Sequence, residues 1–147
     1  MKFKGSVDIQ KPQSEVAALF ANPKYLKEYQ DGFQRKELVN GLQGEEGAIS
    51  KLYYKYGKRD MELTETITTN NLPNSFEAFY HHVHMDNTMK CKFIPLGDKL
   101  TRYEYEFKYT RFSWVMPKLM SVFFPSMFRK QGEKWMRQFK EFVEKQS

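Results

Sequence analysis

Between residues 33 and 109 the chain reads as six strand-like runs in unbroken succession, and everything after them is helical in pattern. Residues 33–40 close at Gly41-Leu42-Gln43-Gly44, and 47–56 at Gly57-Lys58. Residues 59–69 close at Asn70-Asn71-Leu72-Pro73-Asn74, and 75–84 near Asp86-Asn87. Residues 88–94 close at Pro95-Leu96-Gly97-Asp98, and 100–109 complete the set. Connections this short join neighbouring strands as hairpins, so the sheet is expected to be antiparallel.

A further strand precedes this block. Phe3, Val7 and Ile9 share one face of a period-2 run, with Lys4, Ser6 and Asp8 opposite. Pro12 then opens a helix with Val16, Ala17, Leu19 and Phe20 on its apolar side and Ser14 as its expected cap. Asn22-Pro23 ends it, because a residue before proline is pushed out of helical geometry. Tyr25, Leu26 and Tyr29 mark a second short helix.

At the C-terminal end Trp135, Met136, Phe139, Phe142 and Val143 recur at helical spacing, with Arg129, Lys130, Lys134, Arg137 and Lys140 on the other side. Pro125 is expected to kink or break the helix, which leaves a straight segment over 126–145. The expected architecture is α+β: seven strands in a curved antiparallel sheet around a long C-terminal helix, in the order β-αα-β6-α. A sheet apolar on one face must bury it, and the long helix is the cover. The length of 147 residues, with no linker or repeat, fits one domain over 1–147.

Several function classes are set aside at this point. The net charge is +6, but the basic residues are interleaved with Glu, as on a solvated surface. No helix-turn-helix, zinc-finger or RNP-type signature is present, so nucleic acid is not an expected partner. Cys91 is the only cysteine, which rules out an internal disulfide and fits a reducing compartment. With no apolar leader at the N-terminus and no uninterrupted apolar run of about 18 residues, a cytoplasmic location is expected.

The sharpest local signal is Glu65. In the run from Met61 onward, Met61, Leu63 and Ile67 face one way, and alternation puts Glu65 on that same inward face. A lone carboxylate facing a core is costly unless paired or protonated. Three readings stay open: a structural pairing with a tyrosine hydroxyl or an Arg, an anchor for the polar end of a ligand, or a general acid/base. On the last strand Thr101, Tyr103, Tyr105, Phe107 and Tyr109 share a face, and Met89, Cys91 and Phe93 align on the strand before it. Such a wall suits a mostly apolar ligand, and it suits a filled aromatic core equally well. His81, His82 and His84 supply too few aligned ligands for zinc, so neither a metal nor a cofactor is expected. Residues 112–128 are apolar on nearly every side and are expected to be core or pocket wall; contact with an anionic membrane or a protein partner is the alternative.

The order of motifs resembles the START-like superfamily, also called SRPBCC, which includes the plant allergen Bet v 1 and polyketide cyclases. The matching residues are Val7-x-Ile9-x-x-Pro12 leading into a helix, Leu19-Phe20-x-Asn22-Pro23, the strand Met61-Glu62-Leu63-Thr64-Glu65-Thr66-Ile67, and Phe139-Lys140-Glu141-Phe142 near the end. The resemblance covers essentially the whole chain. It implies a helix-grip fold with a hydrophobic cavity between sheet and long helix. The expected function is binding or transport of a small lipid-like or aromatic molecule. Met89, Phe93, Tyr103, Tyr105 and Phe107 form the expected sheet wall with Leu63, and Met120, Trp135 and Phe139 form the helix wall, with Glu65 orienting the ligand's polar end. A cyclase- or hydratase-type enzyme using Glu65 as acid or base is the competing expectation.

Overall fold

The computed structural model describes residues 2–112 and 118–147, without the side chains of 118–128. The elements run β1 (Lys2–Ile9), α1 (Gln13–Ala21), a 3₁₀ turn (Pro23–Tyr25), α2 (Leu26–Tyr29), β2 (Phe33–Asn40), β3 (Ile49–Tyr56), β4 (Arg59–Asn71), β5 (Ser75–His82), β6 (Met85–Gly97), β7 (Leu100–Phe112) and α3 (Lys118–Glu144). All seven strands belong to one antiparallel sheet in the order β1-β7-β6-β5-β4-β3-β2. Every neighbouring pair except β1–β7 is a hairpin between consecutive strands, as the short connections require.

The ends of the elements follow from local chemistry. Pro12 is extended (φ −62°, ψ 148°), and its carbonyl accepts from the backbone N–H groups of Glu15 and Val16. Pro12 therefore holds the cap position. Ser14 lies inside the first turn and does not cap the helix, contrary to the expectation above. Asn22 is extended ahead of Pro23, and its side chain accepts from Lys24 N–H at 3.0 Å, capping the 3₁₀ turn. The β5–β6 turn is at Val83-His84 rather than Asp86-Asn87. Asp86 sits in β6 opposite His81, where it accepts from Arg111 of β7 at 2.8 Å. A residue read as turn former thus serves as a cross-strand ion partner. α3 continues through Pro125 without a break.

Register shifts interrupt the ladders at Phe33/Arg35 and Leu38/Asn40 in β2, Ile67/Thr69 in β4, and Asp86/Asn87 and Pro95/Gly97 in β6. Bulges of this kind bend a sheet and increase its twist. The closed end of the molecule is a dry cluster of Ile9, Val16, Phe93, Tyr103, Phe139 and Val143, all fully buried. Phe20 of α1 joins it, with its ring set edge-on to Phe93 and Phe139. Gly5 of β1 lies opposite Tyr105, and a β-carbon there would fall on the Tyr105 phenol. Glycine is what lets that ring lie across β1. The C-terminal part of helix α3 is tied to the rest of the fold. Lys134 pairs with Asp31, Lys140 Nζ donates to the Asp8 carbonyl at 2.6 Å, and Gln10 N–H donates to Glu144 at 2.8 Å.

Candidate functional site

The inner face of the sheet and α3 do not fill the space between them. A cavity of about 420 Å³ remains, within the range usual for small-molecule sites. Its apolar lining has two ends. Ile67, Phe76, Met89, Tyr103 and Phe139 line one end, and Leu52, Tyr54, Tyr56, Met61 and Leu63 the other. Trp135 of α3 stacks on Tyr54 with centroids 5.8 Å apart, so the helix closes the second end with an aromatic pair.

Polar groups cross the middle. Ser50, Glu65, Tyr80, Asn87 and Tyr109 are successive partners across β3, β4, β5, β6 and β7. All of them except Ser50 line the cavity, and Ser50 is buried beside Glu65. Glu65 is the single ionisable side chain among the described buried polar residues. The Tyr80 hydroxyl donates to Glu65 Oε2 at 2.7 Å, and Lys36 Nζ lies 3.1 Å from Oε1. The side chains of Lys36 and Glu65 are only 13% and 10% exposed, so this is a buried ion pair. Both the tyrosine and the cation compensate the carboxylate, and the cation is Lys36 where an Arg was expected.

The cavity tyrosines are held in the neutral, hydrogen-donating form. Burial pushes the Tyr80 phenol well above the usual tyrosine value, and the Glu65 charge adds to the shift. Burial does the same to Tyr54, whose hydroxyl donates to Gln30 at 2.8 Å. Tyr56, nearer the surface, is pushed up to about 12 by burial and then by the charge of Asp31. On the helix wall, Gln131 Nε2 and Trp135 Nε1 are buried donors without a hydrogen-bond partner among the described residues.

Of the residues expected at a site, the structure puts Glu65, Leu63, Met89, Tyr103, Phe107, Trp135 and Phe139 on the cavity wall. Phe93 and Tyr105 are not on it, which corrects that expectation. Phe93 stacks on Tyr103 at 4.9 Å in the dry end, and Tyr105 lies over Gly5. The side chain of Met120, and residues 113–128 of the apolar segment, lie outside the described side chains. Lys36, Tyr80, Asn87 and Gln131 were not anticipated. Alternation alone hides Lys36, because the Phe33/Arg35 register shift reverses which residues of β2 face inward. Among the described residues no group of three or more His, Cys, Asp or Glu is placed to hold a metal. His82 and His84 have rings 5.5 Å apart, but His84 is in the turn, and the His82 ring accepts from its backbone N–H. His81 is taken up by Asp86 at 2.6 Å.

A second hollow of about 640 Å³ lies on the outer face of the sheet, lined by Lys4, Glu77, Lys90, Lys92, Glu104 and Glu106. Its charges pair with one another, as Lys4–Glu106 and Lys90–Glu77 do. The apolar cavity between sheet and α3 is the candidate site. No helix among the described residues is long and apolar enough to cross a membrane.

No family model matches the sequence, and no curated protein matches it. Solved structures do match in fold. The Zhui aromatase/cyclase from Streptomyces sp. R1128 superposes with a TM-score of 0.82 at 8% identity, covering 98% of this chain and 93% of that one. A START superfamily protein from Mycobacterium smegmatis gives 0.71 at 7% identity, with 97% and 94% covered. Norcoclaurine synthase from Thalictrum flavum, solved with dopamine and hydroxybenzaldehyde, gives 0.72 at 12% identity, with 100% and 88% covered. The chain therefore has the helix-grip fold of START-like and Bet v 1-like proteins. At these identities the likeness is one of fold, and function has to be argued from the site.

Proposed function

We propose that the protein binds a small hydrophobic molecule in the cavity and carries or senses it. The observation that carries this reading is a largely apolar cavity of about 420 Å³ whose middle holds a buried carboxylate, already charge-paired and hydrogen-bonded. Apolar area would supply most of the affinity, at about 25 cal/mol per Å² before ordering costs. The polar groups would fix orientation. Neighbours of the same fold include an aromatase/cyclase and an enzyme solved with two aromatic compounds, which fits an aromatic or polycyclic guest. Native mass spectrometry of protein purified from its own host tests the reading. A co-purifying apolar compound is expected. A protein that carries no guest and takes up no apolar dye refutes it.

One observation favours a second reading, an enzyme of the cyclase or hydratase type. The relay Tyr80–Glu65–Lys36 is a hydrogen-bonded acid/base chain inside an apolar space, the setting in which proton transfer is tuned. Glu65→Gln separates the two. A carrier keeps most of its affinity for a bound compound, whereas an enzyme loses turnover while binding persists.

A further inference from the structure

Resting on the binding reading above, we propose that the ligand is a neutral molecule whose acceptor oxygen, a ketone, ether or ester type, lies between two apolar parts of its body. It would be held where the transverse polar row of the sheet faces the unpartnered donors of α3. A fatty acid with its charge at one end is not the guest this cavity fits.

Three observations carry the inference. The first is placement. Glu65, Tyr80 and Asn87 are consecutive cross-strand partners, so they form a line across the strands rather than a patch at one mouth. Along β4, Ile67 lies on one side of that line and Leu63 and Met61 on the other, and all three residues line the cavity. An occupant of both ends must therefore cross the polar row in its middle.

The second is charge. Lys36 and Glu65 neutralise each other at 3.1 Å with both side chains largely out of solvent. A carboxylate or ammonium brought beside them would be desolvated with no counter-charge left to meet it. A neutral group escapes that cost.

The third is hydrogen-bond supply. Each carboxylate oxygen of Glu65 already has a donor, Tyr80 on one and Lys36 on the other. What the wall has to spare is donors. Among the described residues, Gln131 Nε2 and Trp135 Nε1, four residues apart on one face of α3, are buried without partners, and the Asn87 amide reaches only the Thr88 carbonyl at 3.5 Å. An unmet buried donor is a standing penalty that a ligand acceptor would relieve.

The test compares three compounds of similar size by isothermal titration calorimetry. Benzophenone has a carbonyl between two rings, diphenylmethane lacks the oxygen, and biphenylcarboxylate has a charge at one end. Benzophenone is expected to bind about tenfold more tightly than diphenylmethane, the worth of one good buried hydrogen bond, with the carboxylate weaker than either. Gln131→Leu and, separately, Asn87→Leu should shrink the benzophenone advantage over diphenylmethane. Equal affinity for benzophenone and diphenylmethane, or preference for the carboxylate, overturns this inference while the binding reading stands. Binding of none of the three overturns both.

Discussion

The Lys36–Glu65 pair makes a quantitative prediction through a double-mutant cycle of Glu65→Gln, Lys36→Met and the two combined. Glu65→Gln keeps the shape and leaves an oxygen for the Tyr80 hydroxyl, but it strands the Lys36 ammonium, whose side chain is 13% exposed. Breaking a buried pair from one side costs about 3–5 kcal/mol. Lys36 sits on β2, which has a neighbour only in β3, so its stem can swing toward water and the lower figure applies. A loss of about 3 kcal/mol corresponds to a melting point roughly 6–12 °C lower for a chain of this size. Lys36→Met should cost a similar amount, because it leaves Glu65 with the tyrosine alone. The double variant should recover most of the loss, since an apolar pair of similar volume is often neutral or better than a buried ion pair. Urea unfolding followed by circular dichroism gives the three values. If Glu65→Gln unfolds within about 0.5 kcal/mol of the parent, and the double variant does no better than the singles predict, the pair is not desolvated and the argument for a charge-closed site fails.

Other consequences are simpler to check. Gly5→Ala should destabilise by about 1–3 kcal/mol because its new methyl collides with the Tyr105 ring, and Tyr105→Ala in the same chain should remove most of the clash. Phe139→Ala, which removes a fully buried ring at the border of the cavity, should cost about 3–5 kcal/mol by denaturant unfolding. Burial holds the phenols of Tyr54, Tyr80 and Tyr103 above the ordinary tyrosine value, so an alkaline absorbance titration should show these three ionising last. Because the folded state binds those protons more tightly, stability should fall as pH rises past about 10, where unfolded chains release them. The Asp86 carboxyl is held below its ordinary value by the Arg111 hydrogen bond first and His81 next. Its stabilising effect is present above that ordinary value and is lost as pH falls through the lowered one. Carbon-13 titration should find that Arg111→Met moves Asp86 back up.

Glu65 was legible in the sequence because β4 alternates without interruption from Met61 to Ile67, and its register shift comes only after Ile67. The strand ladder was legible because Gly-, Pro- and Asn-rich turns punctuate it. What alternation does not contain is position along the third dimension. Phe93 and Tyr105 share a face with Met89 and Phe107, yet Phe93 stacks on Tyr103 and Tyr105 lies over Gly5, whereas Met89 and Phe107 line the cavity. Where α3 and α1 settle decides that, and no residue spacing within β6 or β7 encodes it. Lys36 was illegible for a different reason: one added residue in the β2 ladder reverses its parity. The histidines around the β5–β6 turn were misplaced because Asp86-Asn87 has turn chemistry and strand geometry at once.

The marginal place of β2 in the sheet has one more consequence. A strand hydrogen-bonded along a single side is the seam at which a wall of this kind parts most cheaply. Here the seam carries the cation. Peeling β2 away draws Lys36 off Glu65 and leaves a bare anion inside, so each step of opening works against an electrostatic restoring force. The wall is fastened by charge at the point where its backbone fastening is thinnest.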